Sequence, residues 1–263
     1  MSEATSTFQT LILTITKPFA YITLNRPVVK NAMNNKMVLD IIAAFEALKE
    51  NRDVRAVVLS GAEGTFCAGG DIKEMSKAFE NSETDNFSGT LDKMLRTINE
   101  APQVVIAKVE GAAMGGGFGI VCVADIAIAS TEAKMGLPEV RLGIVPALIS
   151  PYVIERVGLT RARELMLTGR RFDGLTACDY GIVHEAVVPE EVDQRVQVIV
   201  DEIKLCSPQA LAACKRLIFE VKGKPTEETV DYRANLLSEL RQSEDGQEGM
   251  KAFIEKRPAK WTT

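Results

Sequence analysis

Two short apolar stretches, Thr10 to Thr16 and Ala20 to Leu24, flank Lys17-Pro18-Phe19 and stop at Asn25-Arg26-Pro27. Apolar runs around a turn-forming centre predict a β-hairpin. From Lys36 to Glu50 the pattern changes period: Met37, Ile41, Phe45 and Leu48 recur at spacings of four, four and three. That spacing predicts an amphipathic helix, with Asn34 or Asn35 as its cap. Arg55 to Leu59, Val104 to Val109 and Ile126 to Ala129 read as buried strands, and Leu91 to Asn99 as a helix.

Glycine-rich loops follow the first two of these strands, and the order strand, glycine loop, helix persists to about Gly143. This order predicts an α/β core with crossover connections. Beyond Leu148 the pattern is helical: Pro151 to Val157, Arg161 to Leu167, Glu190 to Leu205, Pro208 to Val221, Glu227 to Arg241 and Gln247 to Glu255. We therefore divide the chain into an α/β core, residues 1–205, and a helical C-terminal region, residues 206–263. Leu211, Leu217, Ile218 and Val221 form a stripe that an isolated helical tail would leave exposed, which predicts burial against another subunit.

Composition narrows the classes. At 46% hydrophobic and 25% charged residues the chain is an ordinary globular sequence, not a disordered one. Its formal charge of −5 and 6% aromatic content disfavour nucleic acid as a partner. The cysteines are Cys67, Cys122, Cys178, Cys206 and Cys214, an odd number with no C-x-x-C pair. They suggest a reducing compartment, hence the cytoplasm, with no disulfide framework and no zinc. The first residues carry no basic region and no apolar run, so no signal peptide is expected there. The apolar segment Gly111 to Ser130 holds five glycines and an internal Asp125, which argues for a buried core segment over a membrane span.

Several chemistries can be set aside. His184 is the single histidine and sits beside a turn in a strand-like context, so it reads as structural, and a histidine-rich metal site is impossible. There is no G-x-x-x-x-G-K-[ST] pattern, and Gly115-Gly116-Gly117-Phe118-Gly119 fails G-x-G-x-x-G because Ile120 and Cys122 stand where its last glycine is due.

Three segments remain as candidates. Phe66-Cys67-Ala68-Gly69-Gly70-Asp71-Ile72 and Gly111 to Gly119 each follow a strand. Each could open a helix whose free N–H groups meet a developing oxyanion, or could serve only tight helix–strand packing. Met135-Gly136-Leu137-Pro138-Glu139-Val140-Arg141 places a glutamate between a proline and an apolar stretch. Desolvation there would raise its pKa and suit it to general acid/base work. The alternative is a surface Glu139 paired with Arg141 or capping a helix.

In this order and spacing the three segments resemble the crotonase (enoyl-CoA hydratase/isomerase) superfamily, nearly end to end, from Asn25-Arg26-Pro27 to Phe253-Ile254-Glu255-Lys256-Arg257. The resemblance implies an α/β fold, a spiral core of ββα turns with a C-terminal helical trimerisation region. It implies trimers that commonly pair into hexamers. It also implies an acyl-CoA substrate whose thioester enolate is held by two backbone N–H groups, by position those of Ala68 and Gly116. Glu139 becomes the acid/base. Coenzyme A arrives on the substrate, so no separate cofactor, no metal and no membrane or nucleic-acid partner are expected. Ala68, Gly69, Gly70, Asp71 and Ile72 would shape the adenine pocket, and Phe253 and Lys256 resemble residues lent to the CoA site by a neighbouring subunit.

The sequence departs from the straight-chain hydratases of that family in three places. Those enzymes carry a second glutamate two positions after the triple glycine, where this chain has Gly119. Their Gly-Gly-Thr-Gln-Arg type segment is replaced by Pro146 to Arg156. Val28-Val29 stand where a basic residue for CoA phosphates is common, and Lys30 could substitute. Pro146 to Arg156, with Gly119 and the Gly115 to Ala129 segment, looks most like hydratases of branched glutaconyl-CoA thioesters, the 3-methylglutaconyl-CoA enzymes of leucine breakdown and the isohexenylglutaconyl-CoA enzymes of terpene breakdown, and Gly136 to Arg141 with Leu167 to Phe172 leans toward the latter. Enoyl-CoA double-bond isomerisation through Glu139 and a noncatalytic crotonase-like binding protein are the alternatives.

Overall fold

The apolar runs at the start of the chain form the expected hairpin. Strands β2 (Leu11–Thr16) and β3 (Phe19–Leu24) pair antiparallel, with β1 (Ala4–Thr7) antiparallel to β2 at the edge. This is a computed structural model, and it describes residues 4–74, 76 and 86–262. From β3 onward the sheet is parallel. β4 (Ala56–Gly61), β5 (Val104–Val109), β7 (Ile126–Ser130) and β10 (Glu185–Val187) extend it to seven strands in the order β1-β2-β3-β4-β5-β7-β10. A smaller sheet of β6 (Ala112–Met114), β8 (Lys134–Gly136) and β9 (Arg171–Phe172) stands apart from it.

The continuous apolar runs of β4 and β5 reflect burial on both faces. Val57, Leu59, Val105 and Ala107 face a core shared with α1 (Asn35–Lys49), α2 (Asn86–Asn99), α3 (Gly116–Val123) and α4 (Ser150–Thr168). Ala56, Val58 and Ile106 face the other way, against Val192, Val196, Ile199, Val200 and Ile203 of α6 (Val192–Lys204). The short α5 (Gly174–Asp179) precedes β10. Each large aliphatic side chain so buried contributes about 1.5–3 kcal/mol.

Local signals fixed several boundaries. Asn34 caps α1 by accepting from the Met37 amide at 3.0 Å. The two helices expected over 151–167 form one element broken at Gly158, where φ is 72° and ψ is 163°.

The C-terminal helices are α7 (Pro208–Val221), α8 (Val230–Gln242) and α9 (Glu244–Ile254). They are bound to the α/β core more closely than an appended tail would be. Lys215 Nζ reaches Asp125 at 2.6 Å and the Gln103 carbonyl at 3.1 Å, and Arg55 donates to the Lys204 and Trp261 carbonyls. The stripe expected on α7 divides. Leu211 packs inward against the α6 cluster, whereas Ile218 is exposed.

Candidate active site

Three separate segments meet because three short extended pieces lie side by side. β6 and β8 are parallel with Met114 opposite Gly136, and Cys67 bridges Ala113 from the other side. The residues after each piece therefore emerge at one end: Ala68 to Asp71 from the first, Gly115 to Gly119 from the second, Leu137 to Glu139 from the third. The carboxyl ends of parallel strands are where α/β proteins place ligands.

The second glycine loop opens a helix. Gly115, at φ 50° and ψ −118°, makes the turn, and Gly116 is the first residue of α3. That conformation is reserved to glycine. Gly117 allows the two loops to touch, since a Cβ there would lie 2.7 Å from the Cys67 Cβ. No acceptor among the described residues takes the Gly116 N–H, which sits at the positive end of the helix dipole.

The third segment presents its carboxylate to this loop. Pro138 starts a 3₁₀ turn, Pro138–Leu142, closed by Gly143 at φ 77°. Glu139 Oε1 lies 3.0 Å from the point where a Gly115 Cβ would stand, and the Gly69 Cα lies 3.9 Å from that point. Glu139 Oε2 is buried without a hydrogen-bond partner among the described residues. Burial pushes the Glu139 pKa above its ordinary value, partly offset by its own backbone amide. Arg141 turns away and donates twice to the Thr168 carbonyl at 3.2 Å, so the pairing of Glu139 with Arg141 is not formed.

The first loop is held along its length by the segment 26–34. Met33 donates to the Gly69 carbonyl at 2.7 Å and accepts from the Asp71 amide at 2.8 Å. Arg26 binds the Ala32 carbonyl at 2.5 Å and Asp71 at 3.0 Å. Asn31, wholly buried with φ 53°, accepts from the Arg26 amide at 2.8 Å and donates to the Ala62 and Thr65 carbonyls at 3.1 and 2.6 Å.

These bonds correct one expectation. The Ala68 N–H is not available to a ligand, because it donates to the Lys30 carbonyl at 3.0 Å. The loop amides without an acceptor among the described residues include those of Gly69 and Gly70. Because the Gly69 carbonyl and the Asp71 N–H both point at Met33, the Gly70 N–H between them points to the opposite side. The sequence missed this because it cannot say which way an extended backbone faces.

Gly119 is closely covered. A Cβ there would stand 2.4 Å from Ile149 Cγ2 and 3.6 Å from Leu95 Cδ2. Ile149, a buried residue not singled out in the sequence, fills the space into which a side chain at 119 would project. The remaining candidates fall into two groups. Lys30 and Ile72 are exposed near the first loop, and Asp71 is committed to Arg26. Phe253 and Lys256 lie at the end of α9, with Phe253 86% exposed, and among the described residues no hydrogen bond or ion pair brings them to the glycine loops of this chain. Arg257 of the same stretch is engaged by Glu248 at 2.6 and 3.0 Å. His184 is structural: its Nδ1 accepts from the Ala127 amide at 3.0 Å.

The chain is similar to known proteins along nearly its whole length. The family model described as Enoyl-CoA hydratase/isomerase matches residues 14–263. A Rhizobium meliloti protein named "Probable enoyl-CoA hydratase" is 33% identical over 256 residues, 97% of this chain and 98% of that protein. Among solved structures, Pseudomonas aeruginosa AtuE superposes with a TM-score of 0.94 at 40% identity, covering 97% of this chain and 100% of the other. An enoyl-CoA hydratase/isomerase from Marinobacter aquaeolei gives 0.93 at 41% identity, with the same coverage.

Proposed function

The chain belongs to the enoyl-CoA hydratase/isomerase family, with the α/β crotonase fold and a hydratase-type lyase activity, and on that premise we propose how its site works and on what substrate. The observation that carries the reading is a desolvated carboxylate, Glu139, set between two loops that each offer a free amide. The thioester carbonyl of an enoyl-CoA accepts hydrogen bonds from Gly70 and Gly116. Glu139 takes a proton from water as the water oxygen bonds to C3. The C2–C3 π pair moves into an enolate whose oxygen the two amides stabilise, and protonated Glu139 then returns the proton to C2. One carboxylate serves both steps, so H and OH add to the same face. The site needs no cofactor beyond the coenzyme A on the substrate.

The substrate we propose is a branched glutaconyl-type thioester, with isohexenylglutaconyl-CoA ahead of 3-methylglutaconyl-CoA. Support comes from Gly119 and the Pro146 to Arg156 segment, whose Ile149 closes the space a second carboxylate would use. Loss of conjugated thioester absorbance across a panel of straight-chain enoyl-CoA and glutaconyl-CoA esters tests this. Turnover confined to the straight chains overturns it. The single carboxylate also suits double-bond isomerisation, in which Glu139 moves a proton without adding water. Running the reaction in ¹⁸O-labelled water separates the two, since only hydration incorporates the label.

We further propose a homotrimer or dimer of trimers with CoA sites completed across subunits by Phe253 and Lys256. The exposed Phe253, Ile254, Ile218 and Leu237 support this. Among the described residues no helix is long and apolar enough to cross a membrane, and the five free cysteines fit a cytoplasmic setting.

A further inference from the structure

Met33 was not among the candidates read from the sequence, yet it touches both halves of the site. Its backbone brackets Gly70: the Met33 N–H donates to the Gly69 carbonyl at 2.7 Å, and its carbonyl accepts from the Asp71 amide at 2.8 Å. These two bonds fix the plane of the intervening peptide units and so the direction of the Gly70 N–H. Its side chain reaches the other loop. Met33 Sδ lies 3.4 Å, and Cε 3.5 Å, from the point where a Gly116 Cβ would stand, and among the described residues, apart from the glycine, its two chain neighbours and its own helix backbone, these are the only heavy atoms within 4 Å of that point. The residue is 1% exposed, wedged between the loops by the buried core that includes Met37 and Phe66.

We infer that Met33 is a positioning residue that sets the separation of the two oxyanion donors, its backbone holding Gly70 and its thioether holding Gly116. The inference rests on the reading of Gly70 and Gly116 as donors. Each loop has independent anchors: the first is tied to Asn31 and Arg26, and the second is the start of α3. Among the described residues outside its own chain neighbours and helix backbone, only the thioether comes within 4 Å of the open face of Gly116, so the distance between the donors is governed by a side chain that can be shortened. Hydrogen bonds to a developing oxyanion depend steeply on placement, and a displacement near 1 Å can cost about 10²-fold in rate.

The test is Met33→Ala in the full-length protein, with Met33→Leu as the conservative replacement and Met33→Val as a milder truncation should the alanine variant not fold. Two readings are taken on each. The first is kcat and KM on the best substrate of the acyl-CoA panel. The second is the affinity of acetyl-CoA against S-ethyl-CoA, a pair differing only in the thioester carbonyl. Met33→Ala, or Met33→Val in its place, is expected to lower kcat roughly 10-fold, with KM rising only by the factor of thioester preference that is lost. It should erase the preference for acetyl-CoA over S-ethyl-CoA, while Met33→Leu keeps most of both. A truncated variant that weakens both ligands alike, or retains the wild-type preference and kcat, overturns the positioning role. If the wild-type protein itself does not prefer acetyl-CoA, it is the donor reading that fails, and the inference falls with it.

Discussion

The two glycine loops look alike in sequence and are built on different principles. Cys67 to Asp71 is an extended edge gripped on one side by Lys30 and Met33 and on the other by Ala112 and Met114, so its amides at Cys67, Ala68 and Asp71 are committed, whereas those of Gly69 and Gly70 have no acceptor among the described residues. Gly115 to Gly119 is the start of a helix, where the amide of Gly116 is free because an α-helix leaves its first N–H groups without internal partners. The first loop owes its donor to what binds its neighbours, the second to where its helix begins. Glycine content therefore marks close backbone approach in both loops, and only the hydrogen-bond pattern identifies the usable donor in each.

The largest break in this comparison comes from removing what the loops share. Glu139→Gln keeps the shape and abolishes proton transfer, so turnover should fall about 10²- to 10⁴-fold with little change in Tm. In the parent enzyme the acid limb of kcat/KM should lie above the ordinary carboxylate value of 4.5, because burial raises the Glu139 pKa and the base must be ionised. A variant turning over near the parental rate removes Glu139 from the mechanism.

Deleting one amide from each loop sharpens the contrast. Gly116→Pro removes the helix-start donor and is expected to cost about 10²- to 10³-fold in kcat. Ala68→Pro removes an amide already bonded to Lys30, and its damage should appear in thermal unfolding of the first loop, not in thioester recognition. An Ala68 variant that folds normally and loses only kcat would restore Ala68 as a donor.

The wall behind the second loop gives a smaller effect. Gly119→Glu should lower stability by about 1–3 kcal/mol, because its Cβ meets Ile149 at 2.4 Å. Ile149→Gly, added to it, should recover part of that loss in chemical denaturation, and strict additivity of the two changes would disprove the contact. Least is expected away from the site. His184 accepts from Ala127, and burial and nearby Arg156 hold its pKa below 6.5. Unfolded chains bind the proton first, so this stability is present above pH 6.5 and is lost as pH falls through the folded pKa. His184→Asn should flatten that part of the Tm profile.

What the sequence determined by itself is the part governed by period and local chemistry. Met37, Ile41, Phe45 and Leu48 announce α1, and Asn34 or Asn35 its cap, of which the structure uses Asn34. The order of the glycine loops and Pro138-Glu139 announces the family. Short strands such as β6, β8 and β9, of two or three residues, leave no periodic trace, yet they bring Cys67, Ala113 and Met135 side by side. Only the tertiary structure decided that the Ala68 amide is engaged while those of Gly70 and Gly116 have no acceptor among the described residues, that Ile149 fills the space beside Gly119, and that Met33 lies against both loops. Those facts depend on which way a backbone faces and which side chain from far along the chain arrives first. A residue's type fixes its chemistry and its conformational range, whereas its partners are set by the packing of the whole.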